Sequence, residues 1–304
     1  MPFGLGFSQV IRRLVGPRRR EASIDPPGAR PTGDPSGEKD PAKQEQQRRA
    51  GAWLKAYEAG LLSRPANVRD AAGWDRYWMN HLEFGMGEQA LMDQMASDHS
   101  LPEFLVGRGA RTILCAGNGF SYEAIALAIL GFEVTALDLS RVPTEVIEAT
   151  LRDPQHALRQ LVGFSLRADG AWTLETPVDP ALAPPMHMRA GFPPRAGGSL
   201  ILATGDLMDP EICRGPFDVV IERRTVQLFR EGEMQEALDH LTRRLATPGT
   251  FVSHQHDGGW RPGKPRKHHA EEWLRSNGFE FRTTREGEEV AHAPRVAFLV
   301  YTSG

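Results

Sequence analysis

The sequence predicts an α/β protein: a three-layer sandwich built on a mostly parallel seven-stranded sheet, with an antiparallel C-terminal strand and an N-terminal helical cap. Three observations carry this. Residues 112–140 read TILCAGNGFSYEAIALAILGFEVTALDLS, which is an apolar run, a glycine turn, an alanine-rich helical stretch and a second apolar run ending at Asp138. From there onward short apolar runs alternate with stretches of helical spacing, the pattern of a parallel sheet covered on both faces. The last two runs, 279–284 and 295–302, have no helical stretch between them, so they are expected to pair antiparallel at one edge. Together these give a Rossmann-like architecture.

The elements follow in order. Residues 1–41 form a basic tail and a linker. The first twenty carry five arginines and no acid among apolar positions, and the rest is rich in Pro, Gly, Asp and Ser. The tail reads as solvated chain, or as a short segment making weak contact with an anionic membrane surface. Residues 42–100 form the helical cap. Trp53, Leu54, Tyr57, Leu61 and Leu62 share one side of its first helix, and a third helix is expected over 88–97. In the second, Trp74, Tyr77, Trp78 and His81 fall on one face at spacings of three and four. That face either packs on the core or roofs a pocket in which aromatic rings and His81 hold a substrate.

The main domain spans 101–304. After the 112–140 unit comes a helix over 143–162, interrupted near Asp153-Pro154. An insertion at about 163–198 begins with a candidate hairpin around Ala168-Asp169-Gly170. Strands are expected at 199–203, 217–221 and 250–254, with helices at 233–245 and 269–277.

Hydrophobic content of 40% with 25% charged residues is ordinary for a globular chain. A net charge of -3 gives no reason to expect a nucleic-acid partner. The two cysteines, Cys115 and Cys213, lie in or beside apolar runs, so a reducing, cytoplasmic setting is expected rather than a disulfide framework. No apolar run approaches the ~18 residues of a membrane span. Nothing in the pattern sets an oligomeric state.

The glycine turn locates the ligand. Gly117-Asn118-Gly119 lets the backbone approach a ligand closely, and the start of the following helix offers N–H groups to polar or anionic atoms. Asp138, at the end of the next strand, is placed to accept both hydroxyls of a ribose. A dinucleotide would want a third small residue where Tyr122 stands, which counts against NAD. S-adenosylmethionine fits the same geometry and carries no phosphate.

Here the chain resembles the class I S-adenosylmethionine-dependent methyltransferases, over about residues 101–304. The resemblance rests on LCAGNGFS, VTALDLS, ATGDLMD, GPFDVVIERRTVQLF and ATPGTFVSH. It implies S-adenosyl-L-methionine as cofactor, contacted along Cys115, Ala116, Gly117, Asn118 and Gly119. Asp138 and Leu139 would sit at the ribose, and Gly205, Asp206 and Leu207 at the adenine. Glu222 would face the methyl donor or the acceptor. The chain departs from the family at Ile113 and Cys115, where an acid and a glycine are usual. The acid helps hold the methionine ammonium, so that contact must come from elsewhere. Leu-Cys before the turn and the Trp74-Asp75-x-x-Trp78 pattern are also similar to thiopurine-methyltransferase-like proteins.

Catalytic candidates cluster at strand ends. Arg223 and Arg224 suit a carboxylate or phosphate on the substrate, or a salt-bridge network. His254 and His256 alternate onto one side of a strand and, with Glu222, are candidates for proton transfer. A metal site at these histidines is not expected, since two His and an Asp at close spacing recur by chance. The sequence thus points to a methyltransferase acting on a small molecule. An NAD-linked oxidoreductase and a non-catalytic protein that keeps the cofactor fold are the alternatives.

Overall fold

β1 (Thr112–Ala116) sits near the middle of the sheet because both of its faces are apolar. Ile113 and Cys115 point to one side, Leu114 and Ala116 to the other, and all four are buried. The computed structural model describes residues 41–84, 100–121, 123–153, 163–176, 197–256, 267–282 and 295–302. Its remaining strands are β2 (Glu133–Asp138), β3 (Gly163–Leu166), β4 (Trp172–Thr176), β5 (Ser199–Thr204), β6 (Phe217–Arg223), β7 (Leu245–His256), β8 (Glu280–Arg282) and β9 (Arg295–Thr302). They form one sheet in the order β3-β4-β5-β2-β1-β6-β7-β9-β8.

The helices are α1 (Pro41–Glu58), α2 (Ala71–Glu83), α3 (Ser100–Gly107), α4 (Glu123–Ile129), α5 (Arg141–Arg152), α6 (Glu231–Arg243) and α7 (Lys267–Ser276). On one face of the sheet, Ile113, Cys115, Val134, Ala136, Val219 and Ile221 pack with Leu105 of α3, with Ala124, Ile125, Leu127, Ala128 and Ile129 of α4, and with Ile147 and Leu151 of α5. On the other, Leu114, Leu137, Val220 and Phe251 pack with Met234, Leu238 and Leu241 of α6 and with Leu274 of α7. These are the three layers of the Rossmann-like sandwich. Glu123 opens α4, whose seven residues are all buried. Ser140 caps α5, its hydroxyl accepting from the Val142 N–H at 3.2 Å.

Seven consecutive strands, from β5 to the edge strand β8 in spatial order, are all mutually parallel. This corrects one expectation. β9 runs parallel to β7 over eight residue pairs and parallel to β8, so the C-terminal strand is not antiparallel. The reason lies in the connection. A hairpin needs only a few residues, whereas a parallel return needs about a dozen, and the segment 283–294 is that long. The antiparallel pairings lie at the opposite edge, where the hairpin β3–β4 turns at Asp169-Gly170 and β4 adds to β5. The expected helix over 88–97 and most of the insertion lie outside the described residues, as do the tail and linker up to residue 40. No described helix is long and apolar enough to cross a membrane.

Two features of this topology place the site. Chain order leaves β1 toward β2 on one side and reaches β6 on the other, so the crevice between β1 and β6 is the switch point at which open α/β sheets bind ligands. Helix α2 then lies across the carboxyl ends of these strands. Its Leu82 joins Phe120, Val142 and Val146 in a small apolar cluster with Trp78 and Met79.

Candidate functional site

The glycine turn after β1 is held by its own backbone. The N–H groups of Gly117 and Asn118 both donate to the Leu137 carbonyl at the end of β2, at 2.8 and 3.1 Å. Gly119 N–H donates to Asp138 Oδ2 at 2.8 Å. Ser121 N–H donates to the Asn118 carbonyl, and Glu123 N–H to Ser121 Oγ. The buried Asn118 amide closes the turn by donating to the Gly119 and Ser121 carbonyls. Five main-chain donors expected to face a ligand are therefore already used inside the protein. This revises the expectation that the turn and helix start offer open N–H groups.

Both glycines have positive φ, 66° at Gly117 and 52° at Gly119, and each is crowded by a side chain. A Cβ on Gly117 would overlap the Thr225 hydroxyl; one on Gly119 would come within 3.1 Å of the Trp78 indole. Both approaches come from the protein itself, one from the segment after β6 and one from α2.

Asp138 sits where the sequence places it. Besides Gly119, its Oδ1 accepts from the Ser140 N–H at 2.9 Å. Burial pushes its carboxyl up to about 6, opposed by those two hydrogen bonds and reinforced by nearby Asp75. At neutral pH it is an anion with acceptor capacity left for hydroxyl donors. Asp206, after β5, accepts from Met208 N–H at 2.9 Å and from Arg69 Nε at 2.7 Å.

One cavity of about 290 Å³ joins these parts, just under the ~300–1,000 Å³ usual for small-molecule sites. Its floor is Gly117 to Ser121, Leu137 to Leu139 and Gly205 to Leu207. Its roof is Trp74, Tyr77, Trp78 and His81 of α2, with Arg64, Val68 and Arg69 ahead of it; Arg223, Arg224, Thr225, Leu228 and Phe229 complete the wall. Of the aromatic stripe, Trp74 is 8% exposed and packed, and all four residues line the cavity.

The roof is docked by specific contacts. Asp75 accepts from Ser140 Oγ at 2.6 Å and from Arg141 Nε at 3.2 Å. Arg69 clamps Asp206, and the Trp74 indole N–H donates to the Val68 carbonyl. Trp78 meets Phe120 edge-on, with ring centroids 5.0 Å apart.

Three predicted residues stand elsewhere. Cys115 and Ala116 are buried in the strand and do not line the cavity; burial pushes the Cys115 thiol well up, which keeps it from acting as a thiolate. Glu222 is fully buried and is not among the lining residues. Its carboxylate accepts from the N–H groups of Thr225 and Val226 and from Ser253 Oγ. It therefore braces the turn after β6 instead of facing a reacting group. That turn includes Arg224 at φ 55°, a left-handed backbone costing roughly 1–2 kcal/mol without glycine. The backbone of β7 carries His254 into register with Arg223, while the side chains of His254 and His256 lie outside the described residues. Tyr122 lies outside them too. Among the described residues no cluster of His, Cys, Asp or Glu is arranged to hold a metal.

The sequence reading missed Glu123. Its carboxylate pairs with Arg223 at 2.9 Å, both side chains under 8% exposed. A lone acid in the apolar stretch EAIALAI was the available signal. Arg64, Arg69, Phe120 and Thr225 were also missed, since each acts through tertiary placement.

No family model matches the chain, and no curated protein matches it. Among solved structures it is similar to magnesium protoporphyrin IX methyltransferase (ChlM) from Synechocystis PCC 6803, at 16% identity over 79% of this chain and 87% of that one, with a TM-score of 0.37. It is also similar to the CcbJ methyltransferase from Streptomyces caelestis, at 18% identity over 51% of this chain and 47% of that one, TM-score 0.32. A structure concerned with converting a disulfide bond into a thioacetal group during echinomycin biosynthesis matches at 19% identity over 49% and 45%, TM-score 0.31. The matched part is thus about half the length of the last two proteins. Nothing about chemistry follows from likenesses at this level.

Proposed function

We propose that the chain is an S-adenosylmethionine-dependent methyltransferase acting on a small-molecule acceptor. The observation that carries this is the state of the glycine turn. A pyrophosphate needs open main-chain donors at the turn. Here five of those donors are used internally. A nucleoside cofactor without phosphates suits such a floor; NAD does not.

The donor set fits this cofactor. Asp138 would hold the ribose hydroxyls, and Leu207 with the Asp206 turn would flank the adenine. The turn from Gly117 to Gly119 would run beside the amino-acid end. Ile113 is fully buried in the core, so it leaves no acid for the ammonium. S-adenosylmethionine supplies an electrophilic methyl group on a positively charged sulfur. Aromatic rings of the roof stabilise a cation near their faces, by about 0.5–2 kcal/mol each. Closing α2 over the floor excludes water and aligns the reactants, which is most of what methyl transfer asks of a protein.

His81 is the described histidine on the cavity wall. Burial, and then the charge of Arg64, hold its imidazole below the usual value, which favours the neutral ring at pH 7. Its Nε2 has no hydrogen-bond partner among the described residues. His254 and His256 are further candidates at the same sheet edge.

Calorimetric titration with S-adenosylmethionine, S-adenosylhomocysteine and NADH tests the reading. One-to-one binding of the first two is expected, with none of NADH; binding of NADH alone would overturn it. A cofactor-binding chain that transfers no methyl group to broad panels of amines, thiols, phenols and carboxylates would favour the non-catalytic alternative.

A further inference from the structure

Helix α1 ends in a way that leaves large apolar side chains in water. Gly60, at φ 71°, is the left-handed residue that closes it. Its N–H donates to the Tyr57 carbonyl and the Leu61 N–H to the Ala56 carbonyl, both at 3.0 Å. These bonds turn the chain back at Leu61, and the Asn80 amide of α2 holds the turn by donating to the Leu61 carbonyl at 2.7 Å. Along this stretch Leu54, Tyr57 and Leu61 are 50%, 60% and 48% exposed. The other large hydrophobic residues so exposed among the described residues, Leu166 and Ile201, lie on β3 and β5.

Packing does not account for the three. Ala56 and Leu62 are buried, so the segment already has its core side, and Leu54 and Tyr57 stand away from it. Tyr57 is also held in place: its ring stacks on Trp53 with centroids 5.4 Å apart and planes 18° from parallel. A tyrosine fixed in one position with much of its ring in water suits the boundary between an apolar medium and water.

Charge follows the same stretch. The chain carries -3 overall, yet residues 41–64 hold five Lys and Arg against two acids, and residues 1–20 hold five Arg and no acid. The remainder is therefore acidic. Arg48, Lys55 and Arg64 are exposed. Apolar side chains among cations match a surface that is apolar beneath an anionic layer. A protein partner matches less well: a stable interface takes about 800 Å² from each side, and three half-exposed side chains offer a small part of that.

We propose that the outer side of α1 and its closing turn, through Leu54, Tyr57 and Leu61, is a contact surface for an anionic lipid membrane, with residues 1–20 as a second basic attachment. One such signal binds a membrane only marginally, whereas two on one chain raise each other's effective concentration. Arg64, three residues on from Leu61, also lines the cavity, so the contact lies beside the cavity's rim. The proposal is independent of which cofactor the cavity takes.

The test is co-sedimentation of the full chain with vesicles of phosphatidylcholine alone, or with about 30% phosphatidylglycerol, at about 0.1 M and about 0.5 M salt. Partition onto the anionic vesicles is expected to exceed that onto neutral ones by about tenfold or more, and to fall about tenfold at the higher salt. Leu54→Gln combined with Tyr57→Gln should lower it about tenfold, while Tyr57→Trp should keep it within about twofold. Replacing Arg12, Arg13, Arg18, Arg19 and Arg20 with Gln should lower it about fivefold or more. The altered positions of α1 are exposed, and an unchanged thermal unfolding midpoint marks an intact fold. Lys55→Glu, at another exposed position, gives an independent reading and should weaken binding to anionic vesicles about fivefold. The proposal is overturned if neither vesicle is bound, or if neutral vesicles are bound equally well. It is overturned too if only the arginine replacement lowers binding, since residues 1–20 then make the contact alone. Light scattering that shows a dimer lost in the Leu54→Gln, Tyr57→Gln chain would also overturn it, because the patch then meets a second copy.

Discussion

The floor and the roof of the cavity are built in different ways. The floor is main chain: the turn from Gly117 to Ser121 is fastened to β2 through Leu137 and Asp138 by hydrogen bonds within thirty residues of sequence. The roof is side chains brought from far apart, with Arg69 reaching Asp206, Asp75 reaching Ser140, and Trp78 lying over Gly119. Backbone geometry constrains a ligand's shape and hardly depends on which side chains surround it. Side-chain walls set which molecule fits. Under the proposed function the floor would hold the nucleoside of the cofactor, and the roof would face the acceptor.

Behind the floor, Glu123 of α4 and Arg223 of β6 form a buried pair, and breaking it should have the largest effect. Glu123→Gln leaves a buried guanidinium without its carboxylate, and a loss of about 3–5 kcal/mol is expected in urea unfolding. A loss under about 1 kcal/mol would mean that the pair does not tie α4 to β6.

Next comes Asp138, which should separate floor from roof. Asp138→Asn removes a charged acceptor and is expected to weaken S-adenosylhomocysteine by about 10–100-fold in calorimetry. Trp78→Ala should chiefly affect the acceptor. Equal loss of cofactor in both variants would erase the distinction.

Acidity gives a finer probe. Because the Asp138 carboxyl is pushed up to about 6, it gains a proton as pH falls through that value, and cofactor affinity should drop roughly tenfold per pH unit below it. Asp138→Asn should flatten the profile. The stability contribution has the opposite sign. The folded state takes this proton at higher pH than the unfolded chain, so through Asp138 the fold gains stability as pH falls from about 6 toward the ordinary 3.8. His81 works against it: held below 6.5 by burial and Arg64, it disfavours the folded state as pH falls past 6.5.

The smallest effect is expected at the roof's outer fastening. Asp75→Asn keeps one acceptor oxygen and loses the charge beside Arg141, a change of about 1 kcal/mol or less in thermal unfolding, with cofactor affinity lowered no more than about fivefold. A larger fall in affinity would place roof closure within cofactor binding itself.

This contrast also explains what could be read from sequence. The β1–α4–β2 unit and its site residues Gly117, Gly119 and Asp138 are contiguous, so spacing alone placed them. The hairpin at Asp169-Gly170 was visible for the same reason. Strand direction at the C-terminus was not, because it depends on how the chain returns after β8 and not on the composition of β9. Glu222 stands at a strand end where a reactive acid is expected, yet the backbone donors three and four residues on, at Thr225 and Val226, claim its carboxylate. Glu123 carried no local signal of partnership with β6, since charge pairing across a hundred residues is set only by the fold.

The most direct test of the central claim is a crystal structure with S-adenosylhomocysteine bound. The ribose hydroxyls are expected about 2.6–3.0 Å from the Asp138 carboxylate, with the sulfur between the Gly117–Gly119 turn and the rings of Tyr77 and Trp78. A ligand whose ribose lies away from Asp138, or whose sulfur does not face the aromatic roof, would contradict the account.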